Sequence, residues 1–178
     1  MPRGGPAGRF VGSDGEILLH LVPTDRYGQP KLLLVEDSTG LLADSGDARV
    51  TALGIFAGRL RGQGHYQAVG RAGDFRPGAE LALLRERDNP HDRDAIGLAA
   101  KGSDRVIGYI GKAHAGRLAK RLDAGEKYRA ISTTGTKGGR AAELVMHYLA
   151  APAGLMAQML SPRPDDADSP RFRPPYKS

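Results

Sequence analysis

Apolar residues in this chain come in short bursts, mostly too short for a helix. Two of them open it, Glu16–Val22 (EILLHLV) and Lys31–Glu36 (KLLLVE). Between them stands PTDRYGQP, whose Pro, Gly and Asp residues are turn formers, so the pair predicts a β-hairpin. Asp37–Arg49 is polar and Gly-bearing and reads as a linker. From Val50 the pattern predicts a series of short strands. They lie at Val50–Leu60, Glu80–Arg85, Ala95–Ala100, Arg105–Ile110, Lys127–Thr133 and Ala141–Leu149. In the last of these Leu144, Met146 and Tyr148 alternate with Val145, His147 and Leu149, a period of two.

One helix interrupts the series. Ala115, Leu118, Ala119 and Leu122 recur at i, i+3, i+4 and i+7, which gives one apolar stripe. Arg117, Lys120 and Arg121 fall on other faces, and Gly125 is placed to stop the helix. Pro152–Leu160 predicts a short terminal helix. Residues 1–10 are rich in Gly, Pro and Arg, and Ser161–Ser178 holds five Pro, so both ends are expected to lack fixed structure. No internal repeat is present. Six strands and one amphipathic helix within about 100 residues predict a mostly β fold, a small, partly open barrel carrying an N-terminal β-hairpin extension. Three regions follow: hairpin and linker at 1–50, barrel at 51–150, and short helix with Pro-rich tail at 151–178.

Composition narrows the chemistry. The chain has no Cys, which excludes a disulfide framework and any Cys-bearing zinc site and fits a reducing compartment. The N-terminus lacks the apolar run of a secretory signal, and no apolar stretch is long enough to span a bilayer. A cytoplasmic monomer with no membrane partner is the expectation. The net charge of +6 is unevenly spread. Residues 1–50 carry 5 basic and 7 acidic side chains, whereas residues 51–150 carry 17 and 10, a net of +7. A basic domain favours polyanionic partners. An Arg-rich soluble surface is the plainer reading of the same numbers.

The chemistry-bearing stretch is Arg85–Ile96, RERDNPHDRDAI, followed by Gly108-Tyr109-Ile110-Gly111. Apolar runs flank it, so its polar residues sit at the tip of a strand–loop–strand unit, where binding groups concentrate. Each residue also has a structural reading. Asn89-Pro90 is first a turn former, and Asp92 can brace the loop through backbone N–H groups. Arg85 is expected to pair with an internal carboxylate, and Tyr109 to be partly core. A metal-dependent nuclease would draw on Asp88, His91, Asp92 and Asp94, but no second carboxylate cluster accompanies them. The chain has no phosphate-binding Gly-Lys-Ser/Thr loop and no Ser or Cys nucleophile setting. No cofactor is called for, and binding ranks above catalysis. A protein-interaction module meeting an acidic partner is the remaining alternative.

Arg85–Ile96, the GYIG element and the helix ending LDAG together resemble the HIRAN domain, over roughly residues 54–149. That module stands at the front of helicase-like DNA-repair remodellers and occurs alone in bacterial proteins. Its usual core runs R-E-P-x-N-P-Y-D-x-N-A-I and then I-G-Y-[IL]-P. Here Arg87 replaces the first Pro, His91 the Tyr, Asp94 the Asn and Gly111 the last Pro. Upstream, Gly58–Gly62 followed by His65-Tyr66 resembles the family's first strand and its aromatic pair.

The resemblance implies a modified OB-like barrel that binds single-stranded DNA without catalysis, at a 3′-hydroxyl end, in repair or replication. A helicase or nuclease would be supplied by another chain. It implies Asp92 as acceptor for the terminal hydroxyl, since a charged acceptor makes the stronger hydrogen bond. His91 takes the base-contacting position, with Asn89 in the same loop. His65 and Tyr66 would stack a base, worth about 1–3 kcal/mol per base. Tyr109 and Lys112 would line the mouth, Lys112 toward phosphate. Two positions depart from the pattern: the Arg expected before the aromatic pair is Gly64, and the late aromatic falls on Arg140 or Ala141.

Overall fold

A computed structural model describes residues 10–25, 30–62, 73–135 and 146–163. Among these residues eight strands form: β1 (Leu19–Thr24), β2 (Lys31–Glu36), β3 (Phe56–Arg59), β4 (Glu80–Arg85), β5 (Ile96–Ala100), β6 (Val106–Tyr109), β7 (Tyr128–Thr134) and β8 (His147–Pro152). Among the described residues three helices join them: α1 (Ala48–Ala52), α2 (Lys112–Asp123) and α3 (Ala153–Leu160). The expected hairpin forms as a separate two-stranded sheet, with Leu19 opposite Glu36 and Thr24 opposite Lys31. The other six strands make one antiparallel sheet in the order β3-β8-β7-β4-β5-β6.

The period of two is used on both sides of this sheet. On β8, Tyr148 and Ala150 point into the barrel, where they meet Phe56, Leu81, Ile96, Leu98, Ile107 and Leu118. Leu149 and Ala151 point the other way, toward Leu19, Leu21 and Leu34 of the hairpin and Met156 and Met159 of α3. Ala130 and Ile131 of β7 divide in the same manner. Strands buried on both faces carry apolar residues at nearly every position, which is why LAA in β8 shows no polar side. The hairpin and α3 thus cover the outer face of β3, β8 and β7, while α2 presses Ala115, Leu118 and Ala119 against the barrel interior.

The two edge strands meet. Beyond β3, Arg61 N donates to Tyr109 O (2.9 Å) and Tyr109 N to Arg61 O (2.8 Å), which curls the sheet toward closure. Gly108 permits this contact. A Cβ there would lie 2.5 Å from Leu60 Cγ and 2.8 Å from the Arg61 carbonyl oxygen, the latter on a backbone that cannot swing aside. Gly108→Ala should therefore cost about 1–3 kcal/mol, the range for overpacking a filled site, read as a lowered urea midpoint at unchanged slope.

Several expectations are corrected. Val50–Leu60 is not one strand. Asp47 accepts from Arg49 N and starts α1 over Ala48–Ala52, Val50 goes into the outer cluster, and Gly54 reverses the chain at φ +84° before β3 begins at Phe56. Asp37–Arg49 is more than a linker, because Ala43 N donates to Leu34 O and Leu42 bridges Val35. Phe10, expected loose, is 2% exposed, with the Arg49 guanidinium 5.5 Å over its ring. At the other end Arg163 is tied down by Asp37. The rest of both termini, 1–9 and 164–178, and the start of the last expected strand, 141–145, lie outside the described residues. The α2 stripe and its stop at Gly125 (φ +87°) are as expected.

Candidate nucleic-acid interface

The loop from Glu86 to Ala95 is built by its own polar side chains. Glu86 N donates to Ala95 O (3.0 Å), which sets the base of the loop as β4 turns toward β5. Asn89 Oδ1 accepts from His91 N (2.9 Å) and Asp92 N (3.1 Å), and Asn89 Nδ2 donates to Glu86 Oε2 (2.8 Å). Asp92 Oδ1 accepts from Asp94 N (2.9 Å). Tyr109, on β6, donates its hydroxyl to Glu86 (3.0 and 3.2 Å to the two oxygens). Glu86 therefore joins the loop to the neighbouring strand, and sequence reasoning had assigned it no role. Its only signal there was its place beside Arg85 at the start of the motif.

Arg85 pairs internally, as expected. Its guanidinium donates to the Arg93 and Ala95 carbonyl oxygens and meets Asp123 at the end of α2 (3.1 Å). Arg87 reaches the same carboxylate (3.0 Å). Hydrogen bonding from Arg85, with the charge of both arginines, holds the Asp123 carboxyl below the usual carboxylate range. The loop is thus fastened to the helix at one end and to β6 at the other.

These fastenings leave a pocket of about 360 Å³ between loop, β6 and the start of α2. It is lined by Asn89, His91, Asp92, Tyr109 and Lys112, together with Arg61 and Gly111. Five of the seven expected site residues are brought to one place. The other two, His65 and Tyr66, lie outside the described residues. Asn89 acts as the brace of its loop, while Asp92 is half-buried with one oxygen engaged by Asp94 N. Its second oxygen, Oδ2, meets no donor among the described residues. His91 and Lys112 are exposed at the rim.

Arg61 was missed as a site residue. The clue available was the alternation Phe56, Gly58, Leu60 inward against Arg59 and Arg61 outward, but its partner across the closure is visible only in the fold. Asp88, His91, Asp92 and Asp94 do not converge; among the described residues no group of three or more His, Asp or Glu side chains could hold a metal. A wider groove, about 1020 Å³, runs between the hairpin end and residues 74–79 and contains none of the expected site residues. No described helix is long and apolar enough to cross a membrane.

Comparison with known proteins agrees with the motif. No curated protein sequence matches the chain. Among solved structures, the HIRAN domain of human HLTF is similar at 18% identity and a TM-score of 0.40, over 66% of this chain and 85% of that one. A protein from Lactobacillus plantarum is similar at 19% identity and a TM-score of 0.40, over 55% of this chain and 98% of that one. The HLTF HIRAN domain in its DNA-bound conformation is similar at 20% identity and a TM-score of 0.36, over 59% and 81%. The family model described as the HIRAN domain matches residues 53–143, just over half the chain. That span contains every residue lining the pocket, and the chain belongs to the HIRAN domain family.

Proposed function

We propose that this protein is a non-catalytic binding module for single-stranded DNA and that its pocket receives a free 3′-hydroxyl end. The observation that carries the reading is the Asp92 carboxylate. Its Oδ2 is without a described donor, in a pocket otherwise rimmed by Arg61 and Lys112. The two cations attract a phosphate backbone. The carboxylate repels a phosphate in its immediate reach and accepts a hydrogen bond from a hydroxyl, which only a chain end presents there. Family membership supports the same direction, since one HIRAN domain, that of HLTF, has been solved in its DNA-bound conformation. The reading places the protein in DNA repair or replication, acting with a helicase or nuclease on another chain.

The test is fluorescence anisotropy with strands that differ only at the 3′ end. Wild-type protein should prefer the 3′-hydroxyl over the 3′-phosphate by tenfold or more, the value of about 1.4 kcal/mol. Affinity should fall with salt at a log–log slope of about −2 to −4, the signature of a few phosphates neutralised on a single strand. Equal affinity for both ends removes the end-binding claim. No salt dependence removes DNA binding itself.

A further inference from the structure

Among the described residues of the barrel six basic side chains are paired, while Arg59, Arg61, Arg93, Arg105 and Lys127, like three on α2, make no ion pair. Arg85 and Arg87 share Asp123, Lys101 and Arg129 share Glu80, Arg121 meets Glu126, and Arg76 meets Asp74. Lys112, Arg117 and Lys120 of α2 make no ion pair among the described residues. Arg117 is held in place without a counter-charge: its guanidinium lies 5.8 Å over the Phe56 ring and donates to Ala113 O.

Arg117 and Lys120 share a direction. Ala113, Arg117, Lys120 and Ala124 recur at i, i+4, i+7 and i+11, one side of a helix, and all four are exposed. The two alanines are small enough to let a chain lie close. Lys112 stands at the pocket mouth and begins the same helix. Two acids lie nearby. Asp123 is occupied by the two arginines. Asp94 sits against Gly116 on the neighbouring side of the helix, toward the loop.

We infer that the exposed side of α2 is a second contact surface for the phosphates of single-stranded DNA, continuous with the pocket. The inference rests on the DNA-binding reading of that pocket and extends its footprint. From Lys112 to Lys120 the helix runs about 12 Å at 1.5 Å per residue, long enough to meet more than one phosphate of a single strand. A strand whose end is held at Asp92 leaves past Lys112 and lays its next phosphates along Arg117 and Lys120.

The experiment is a length series of oligodeoxynucleotides sharing one free 3′ end, from trinucleotide to decanucleotide, against full-length wild type, Lys120→Glu and Arg117→Gln. Lys120 is exposed and its side chain makes no hydrogen bond or ion pair among the described residues, so its variant keeps the fold, which circular dichroism checks. Wild-type affinity should rise until the strand spans the helix and then level off. Lys120→Glu should weaken long strands about tenfold at low salt and leave the trinucleotide unchanged, with a log–log salt slope flattened by about 0.7 for each phosphate no longer neutralised. If affinity is independent of length, or the variants weaken trinucleotide and decanucleotide alike, the helix surface is not a track. Equal competition by an acidic peptide of matched charge also overturns it. If the trinucleotide fails to bind while long strands bind in a Lys120-dependent way, the helix surface stands and the pocket reading falls.

Discussion

A chain trimmed to residues 51–150 is expected to lose its cooperative unfolding transition. The strand pattern and the family match both place the barrel within those bounds, yet the barrel's outer face is covered from outside them. Trimming removes Phe10, Leu19, Leu21, Leu34, Val50, Met156 and Met159, and uncovers Ile55, Ile131 and Leu149, each no more than 2% exposed in the whole chain. Uncovering a large aliphatic side chain costs about 1.5–3 kcal/mol, so the three together cost about 5–9 kcal/mol. A domain of this size has about 5–15 kcal/mol in all. Urea titration followed by circular dichroism measures the outcome. A full-amplitude transition near the midpoint of the intact chain would show the barrel to be self-sufficient. A broad or absent one would make the hairpin and α3 part of its folding unit.

Asp92→Asn is expected to abolish discrimination between 3′ ends while the protein stays folded. The two carboxylate oxygens have different work. Oδ1 accepts from Asp94 N and braces the loop; Oδ2 has no donor among the described residues, on a side chain that lines the pocket. An amide keeps its oxygen on the Asp94 N–H and turns its NH₂ to the pocket, where a hydroxyl finds no acceptor for its proton. A hydrogen bond to a charged group is worth about 1.5–3 kcal/mol, so the 3′-hydroxyl strand should weaken about 10- to 100-fold. The 3′-phosphate strand, freed of a repelling charge, should hold or gain. Asp92→Ala removes both oxygens and tests the brace as well. If Ala lowers the urea midpoint while Asn leaves both midpoint and end preference untouched, Asp92 is a loop brace alone.

The local elements were largely legible. The hairpin, the strand from Glu80 to Arg85 and the α2 stripe depend on periodicity and turn residues within a few positions, and the structure keeps them. The strand expected across Val50–Leu60 failed where two local signals compete. Val50, Ile55 and Phe56 satisfy a strand pattern, but Asp47 caps a helix and Gly54 takes a left-handed turn. The candidate site was legible because most of it is one loop. Asn89, His91 and Asp92 lie within four positions, and Tyr109 and Lys112 follow at the end of β6 and the start of α2.

The sequence by itself determined the alternation of the strands, the self-bracing loop around Asn89 and the basic balance of residues 51–150. Each is a property of neighbouring residues, or of a sum over them. Only the tertiary structure decided that Arg61 faces Tyr109 across the closure, that Glu86 ties the loop to β6, and that the hairpin covers the back of β8. Those pairings join positions 23 to more than 100 residues apart. Which long-range pairs form depends on how the sheet curls and where Gly108 lets it close, and no periodicity along the chain records that.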